Sequence, residues 1–158
     1  RPWLKRGSHS EMVKFLKTGR ICVVTNGRMA GKKGLIVKTY DEGTKARPFP
    51  HALVAGVAKS PMKVTKAMSK KKVQKRSKCK TFVKYVNYNH LMPTRYVVPT
   101  EFDAKGLVTD AQMESHETKA EARKSIKAVL DEKFASVPLD KGGKPSKDLL
   151  FLKKKLRF

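Results

Sequence analysis

Short runs of apolar and β-branched residues, bounded by glycine, proline or asparagine, make up the first two thirds of the sequence. Runs of this kind predict β-strands. We predict strands at residues 20–25, 35–40, 51–58, 80–88 and, as a short last strand, 96–98. Asn26-Gly27 and Gly31-Lys32-Lys33-Gly34 are predicted to form turns. Several short strands joined by such turns are typical of a small β-barrel or sandwich.

The last third of the sequence changes to a helical pattern. Between residues 117 and 136, apolar residues recur at helical spacing, at Ala122, Ile126, Val129, Leu130 and Phe134. This spacing predicts an amphipathic helix, whose apolar stripe we expect to pack on protein. Four apolar residues at 149–152 then precede a final basic cluster. Residues 66–79 are rich in lysine and poor in apolar residues, so they predict either a helical turn or an ordered basic loop.

These patterns predict a mostly β protein with an α-helical extension, in three parts. Residues 1–11 show no periodicity, and we interpret them as an N-terminal extension that is disordered or not native. Residues 12–100 form the predicted barrel, with a basic arm at 59–84. Residues 101–158 form a helical C-terminal extension with a basic tail. A chain of 158 residues has material for one modest core.

Charge is the strongest signal in the composition. The chain has 37 Lys and Arg against 13 Asp and Glu, which gives a formal net charge of +24. The 58 residues from 43 to 100 contain 14 basic residues and no acidic one, whereas residues 101–132 contain eight acidic and five basic residues. A merely solvated surface would mix the two signs. We therefore expect a polyanionic partner, and a nucleic acid fits best.

Several protein classes are excluded by what the sequence lacks. No run of about 18 apolar residues is present, so no membrane partner is expected. No apolar secretory segment follows the basic N-terminus. Two cysteines, Cys22 and Cys79, cannot form a disulfide framework and indicate a reducing compartment.

The sequence also offers no catalytic, cofactor or metal site. The run from Gly27 to Gly34 has the wrong glycine spacing for a phosphate-binding Walker loop and lacks its hydroxyl residue. The four histidines are scattered, no C-x-x-C occurs, and no nucleophile elbow or carboxylate pair stands out. We predict that the protein is not an enzyme and needs no cofactor and no metal.

Aromatic residues alternate with basic ones around the last two predicted strands, and two interpretations are open for them. Phe82, Tyr85, Tyr88 and Tyr96 either stack on bases of single-stranded RNA or fill the core from one face of a strand. Alternation along the strand favours the core for Phe82. For the three tyrosines both interpretations stand.

Several motifs resemble those of a known family. Gly27-x3-Gly31-x2-Gly34-x-Ile36 resembles the KOW motif of ribosomal proteins and transcription-elongation factors. Three further stretches lie at 51–57, at 63–68 and, as the most specific, at 88–96 (Tyr-Asn-His-Leu-Met-Pro-Thr-Arg-Tyr). With the ending Lys-Leu-Arg-Phe, they are similar to the eukaryote-specific large-subunit ribosomal protein twenty-seven family. The similarity covers residues 12–158, although residues 97–112 look divergent.

The resemblance implies an SH3-like barrel of the KOW type with a helical C-terminal extension, embedded at the surface of large-subunit ribosomal RNA. The function it implies is that of a structural constituent of the cytosolic 60S subunit. Neighbouring large-subunit ribosomal proteins are the implied protein partners, and no stable homo-oligomer is expected. The implied location is the cytoplasmic ribosome, after assembly in the nucleolus. The family has no catalytic residues to carry over.

Charge and resemblance together predict an RNA interface of basic residues that neutralise phosphates. The turn after the first strand is expected to project three of them, and the others come from the arm, the last strands and the tail. The predicted contacts are Arg28, Lys32 and Lys33; Lys63, Lys66, Lys70, Lys71, Lys72, Lys75, Arg76 and Lys78; Lys84, His90 and Arg95; and Lys153, Lys154, Lys155 and Arg157. The lysine cluster beginning at Lys70 also resembles a nuclear-import signal.

Two other functions fit part of the pattern. A chromatin or transcription-elongation protein with a KOW domain would bind DNA or RNA through the same charges. An RNA-modifying enzyme would need a cofactor loop or clustered acidic residues, and the sequence shows neither.

Overall fold

The computed structural model describes residues 15–98, 106–139, 143 and 145–156. The predicted extension at residues 1–11 and the predicted contact Arg157 lie outside these residues. The strands are β1 (Arg20–Val24), β2 (Lys33–Tyr40), β3 (His51–Lys59), β4 (Lys80–Asn87) and β5 (Leu91–Val97). The α-helices are α1 (Lys70–Ser77), α2 (His116–Ala135) and α3 (Lys147–Lys153), and 3₁₀ turns lie at Tyr88–His90 and Ala111–Met113.

The strands predicted from the sequence are confirmed, with shifted ends. β5 begins at Leu91 and not at residue 96. It carries Pro93, which an edge strand tolerates because one of its sides needs no ladder hydrogen bonds. The helix predicted at 117–136 is α2, whose first turn is capped by the Ser115 hydroxyl, an acceptor for the N–H of Thr118 at 3.3 Å. No helix within the described stretches is long and apolar enough to cross a membrane.

The strands form one antiparallel sheet in the order β4-β3-β2-β1-β5. Two glycines lie side by side at its centre, with Gly34 of β2 opposite Gly56 of β3. Gly56 also lies opposite Phe82 of β4, and a Cβ on Gly56 would lie 2.5 Å from the Phe82 ring. Glycine at this position therefore gives the ring its space. Phe82 is only 4% exposed, which confirms its predicted place in the core.

The two edge strands, β4 and β5, face the same core without pairing with each other. Val86 of β4 and Leu91 of β5 belong to one buried cluster with Cys22, Ile36 and Val54. The sheet is therefore strongly curled, but among the described strands no ladder joins β4 to β5. The chain leaving the 3₁₀ turn joins β1 instead, because Val24 pairs with Leu91 and Thr25 donates a backbone hydrogen bond to His90 at 3.0 Å. The predicted small β domain with a helical extension is confirmed, but it is an open sheet and not a closed barrel.

The opposite face of the sheet is covered by the C-terminal extension. Alternate strand residues such as Ile21, Leu35 and Leu53 pack in a second buried cluster with residues of α2 and α3. The α2 residues in this cluster are Ala122, Ile126, Leu130 and Phe134, from the stripe that is predicted to pack on protein. The extension is thus part of the fold's core.

Asp110 joins the C-terminal extension to the sheet by polar contacts. Its carboxylate accepts hydrogen bonds from Lys38 at 2.6 Å, from the Tyr85 hydroxyl at 2.9 Å and from the Tyr40 hydroxyl. Burial opposes ionisation of Asp110, but these three donors outweigh it and hold the pKa of the carboxyl below its usual value of 3.8. The buried ring of His51 stacks on Tyr40 at 4.7 Å between centroids.

Candidate nucleic-acid interface

Two adjoining clefts bring many of the predicted basic residues together. The first, of 440 Å³, lies between the start of β2, the end of β3 and the end of α3, and the second, of 250 Å³, lies between α1, β4 and α2. Lys59 and Met62 line both clefts, so the clefts flank the segment that leaves β3. We call the two together the basic groove. Its basic lining residues are Lys32, Lys33, Lys59, Lys63, Lys75, Arg76, Lys78, Lys80, Lys127, Lys154 and Lys155.

The basic groove concentrates positive charge, although one carboxylate, that of Asp131, accepts a hydrogen bond from the N–H of the lining residue Cys79 at 3.0 Å. None of its lining residues is acidic. Lys59 and Lys80 even lie directly opposite each other at the ends of β3 and β4, a placement of like charges that destabilises a sheet. An anion bound in the groove would remove this repulsion.

Two hydrogen bonds within the arm hold the segment after β3 against the end of α1. The N–H of Met62 donates to the Arg76 carbonyl at 2.8 Å, and the Arg76 Nε donates to the Lys63 carbonyl at 2.9 Å. Arg76 therefore positions the arm as well as contributing charge to the groove.

Helix α1 lies on the surface over its whole length. It has no buried residue, and Lys66 and the α1 lysines Lys70, Lys71, Lys72 and Lys75 are exposed. Basic side chains four residues apart repel one another and destabilise an isolated helix. The helix contains no acidic residue that could offset this repulsion, so α1 would gain stability from a polyanion.

Lys33 does not project from the turn, and the prediction that it does is wrong. It is the first residue of β2 and only 5% exposed. Its Nζ donates to the carbonyls of Phe151 at 2.6 Å and Lys154 at 2.8 Å, and lies 3.8 Å from the centroid of the Phe151 ring. Burial, and then the neighbouring charge of Lys154, lower the pKa of Lys33 from its usual 10.5. These hydrogen bonds connect the C-terminal end of α3 to β2. A cation is favourable there, because the C-terminus of a helix carries a partial negative charge.

The tail residues divide between fold and surface. Lys153 donates to the carbonyl of Phe134 at 2.6 Å and so joins α3 to the end of α2. Lys154 and Lys155 are exposed and line the groove. The described tail therefore offers two exposed ammonium groups, not three.

The remaining predicted residues lie outside the basic groove. Arg28 is exposed in the turn after β1. Lys84 and His90 line a separate cleft of 350 Å³. Arg95 is exposed on β5, where its guanidinium lies 5.2 Å from the centroid of the Tyr96 ring. The structure therefore brings the turn, arm and tail together but not the residues of the last strands.

The three tyrosines make contacts within the protein, which favours a structural role for them. The Tyr85 hydroxyl donates to Asp110, and the Tyr88 hydroxyl donates to Asp41 at 2.6 Å. Burial first, and then these carboxylates, raise the pKa of both phenols. Tyr96 stacks on Phe151, with 4.2 Å between ring centroids.

Sequence reasoning missed four basic residues that line clefts. Lys59 and Lys80 lie in the lysine-rich arm, and their places at strand ends could have identified them. Lys127 projects from α2, and Arg47 lies in the loop before β3. Neither of these two stands in a basic run, so no local signal marks them. The described residues contain no group of three or more His, Cys, Asp or Glu that could hold a metal ion.

Comparison with known proteins finds one family and several similar chains. The model of the Ribosomal L27e protein family matches residues 21–154. The large ribosomal subunit protein eL27 of Pyrobotrys stellatus is 56% identical over 123 residues, 78% of this chain and 90% of its own. The protein of the same name from Candida albicans is 54% identical over 122 residues, 77% of this chain and 89% of its own. That of Tetrahymena thermophila is 49% identical over 148 residues, 93% of this chain and 100% of its own.

Proposed function

Because the chain belongs to the Ribosomal L27e protein family, we propose that it is a structural constituent of the large ribosomal subunit. This family is a structural one, and the protein is not an enzyme. The similarity spans most of this chain and of its relatives. Within the subunit, the role of this protein is to bind and stabilise folded ribosomal RNA, a role that the charge of the basic groove supports.

The observation that carries this proposal is the basic groove. Apart from the buried Lys33, ten basic residues from the turn, the arm, α2 and the tail line it, with no acidic residue among them. Phosphate neutralisation releases counterions and provides affinity without reading sequence. A groove of this kind suits the backbone of a folded RNA, whose position is fixed by tertiary structure.

The exposed arm extends this contact. Lys66, Lys70, Lys71 and Lys72 are exposed beyond the groove and would meet phosphates of the same RNA. Segments without a packed core gain order when they bind. Neighbouring large-subunit proteins are the further partners, and assembly takes place in the nucleolus before the subunit reaches the cytoplasm.

The test is the salt dependence of binding to large-subunit ribosomal RNA. A groove variant carries Lys59, Lys63 and Lys155 changed to Gln, and a matched control carries Lys17, Lys45 and Lys124 changed to Gln. The control residues are exposed and lie outside the groove lining. The groove variant should reduce the slope of log affinity against log salt by about 0.7–0.9 for each phosphate that is no longer neutralised. Equal slopes in the two variants would contradict the groove as the RNA site.

Assignment to the large subunit has its own test. A tagged chain should co-sediment with 60S particles after a high-salt wash. RNA and DNA of equal length should be compared at fixed salt, because a preference for the 2′-hydroxyl separates a ribosomal role from binding to DNA. Sedimentation apart from 60S particles would refute the assignment.

A further inference from the structure

A third cleft, of 350 Å³, lies between the turn after β1, the loop before β3 and the C-terminal half of β4. It shares no lining residue with the basic groove, and none of its lining residues is acidic. The cleft differs from the groove in its chemistry, because it combines cationic groups with flat aromatic ones.

Two flat groups form part of its wall. The guanidinium carbon of Arg47 lies 4.2 Å from the centroid of the Tyr85 ring, and the hydroxyl of that ring donates a hydrogen bond to Asp110 at 2.9 Å. Phe49 is 38% exposed, although its ring makes an edge contact with His51 at 5.6 Å. Guanidinium planes and aromatic rings are the surfaces on which unstacked RNA bases lie.

Hydrogen-bond donors stand beside these flat groups. The Lys84 Nζ reaches across the cleft to within 3.6 Å of the position that a Cβ on Gly27 would occupy. Asn26 and His90 lie together at the same turn, with 3.5 Å between the Asn26 Nδ2 and the His90 Nε2. An ammonium suits a phosphate, and an amide beside an imidazole suits the polar edge of a base.

We propose that this cleft binds a single unpaired RNA base, which lies against Arg47 and Phe49 while its phosphate meets Lys84. The inference rests on the proposed function, since the base belongs to the same kind of RNA that the basic groove holds. A base inside a continuous helix is stacked and cannot enter. The cleft therefore distinguishes a bulge or loop from a paired helix, which phosphate contacts alone cannot do.

Three RNA hairpins of one sequence test the inference. The first is fully paired, the second carries one bulged adenosine, and the third carries an abasic nucleotide at the bulge. The abasic hairpin keeps the backbone distortion and the phosphate but lacks the base. Stacking of one base corresponds to roughly 5- to 150-fold in affinity. The wild-type protein should therefore bind the adenosine bulge at least about fivefold more tightly than the abasic one.

Two cleft variants and one groove variant locate the effect. Arg47→Lys keeps the charge but loses the flat plane, and Phe49→Leu keeps an apolar side chain but loses the ring. Each variant should show a smaller preference for the adenosine bulge over the abasic one than the wild type does, and the variant with both changes should show none, with unchanged affinity for the paired hairpin. Lys63→Gln, in the basic groove, should weaken all three complexes by one factor. Cooperative urea unfolding with the midpoint of the wild type reports that each variant is folded.

The outcomes separate this inference from the proposed function. Equal wild-type affinity for the adenosine and abasic bulges would overturn the base cleft and leave the groove untouched. A preference for adenosine that is as large in both cleft variants as in the wild type would also overturn it. Failure of the wild-type protein to bind any of the three hairpins at low salt would overturn the proposed function and the base cleft together.

Discussion

Replacing Lys33 by Met tests whether a lysine in a basic turn belongs to the fold or to the RNA interface. The change removes two hydrogen bonds, to the carbonyls of Phe151 and Lys154, and a cation above the Phe151 ring. Hydrogen bonds from a charged donor contribute about 1.5–3 kcal/mol each, and a cation–π contact about 0.5–2 kcal/mol. The desolvation of the buried ammonium opposes these gains. We expect the free energy of unfolding to fall by about 1–3 kcal/mol, since Met refills the volume but not the donors.

The assay combines equilibrium unfolding in urea with amide hydrogen exchange. The Lys154 N–H, which donates to Leu150 at 3.0 Å, should lose protection in Lys33→Met more than amides at the centre of β3 do. Lys32→Met is the matched control, because Lys32 is adjacent in sequence and lines the basic groove from the turn that precedes β2. It should keep the stability of the wild type and lose affinity for RNA.

The pH dependence of stability provides a second measurement on Lys33. Because its folded pKa lies below the unfolded value of 10.5, the folded state loses this proton more readily than the unfolded state. The unfavourable contribution of charging Lys33 is fully present below the folded pKa and disappears as pH rises towards 10.5. The wild type should therefore gain stability relative to Lys33→Met over that interval. A Lys33→Met protein as stable as wild type, with RNA affinity reduced as in Lys32→Met, would refute the structural role.

Three further predictions concern contacts within the fold. Leu130→Ala should lower the free energy of unfolding by about 2–5 kcal/mol, because Leu130 is buried between α2 and the sheet; an unchanged melting temperature would show that this face is not packed. Asp110→Asn should destabilise the protein most above pH 3.8, and the difference should vanish as acid protonates the wild-type carboxylate, whose pKa is depressed. Urea unfolding with an equal difference at neutral and acidic pH would contradict this. Burial raises the pKa of the Cys22 and Cys79 thiols to about 12; both should resist iodoacetamide in the native protein and react in urea, and rapid native labelling would refute their burial.

The sequence predicts the strands well where burial decides the residue type. The β2 and β3 runs are apolar on both faces because each face packs in its own cluster, and such runs stand out in any window. The pattern misses most of β5 because this edge strand has Pro93, Thr94 and Arg95 in its middle. One of its sides meets no partner strand, so polar residues and proline carry no penalty there and the run looks like a loop.

The sequence predicts that the interface is basic, but it does not predict which basic side chains lie together. Lys32 and Lys33 are equivalent in the sequence, yet β2 begins between them and the pleat turns one side chain towards α3. Moving the start of a strand by one residue turns each of its side chains to the opposite face of the sheet. The turn residues before β2 do not define its first residue to within one position. Lys127 joins the groove only because α2 packs beside β4. Such neighbours arise from tertiary packing, which a single sequence does not display.

The pairing of β1 with β5 sets the order in which the newly made chain can fold. β1 meets its second neighbour only after more than seventy further residues have been synthesised, since Thr94 donates to the Ile21 carbonyl across 73 positions. The apolar face that α2 and α3 cover stays open longer still, and Leu149 and Leu152 arrive near the end of the chain. The growing polypeptide therefore exposes the apolar face of its sheet while its basic segment, residues 43–100, is also exposed. Contacts between residues so distant along the chain form slowly. This face of the sheet is fully covered only when α3 packs against it.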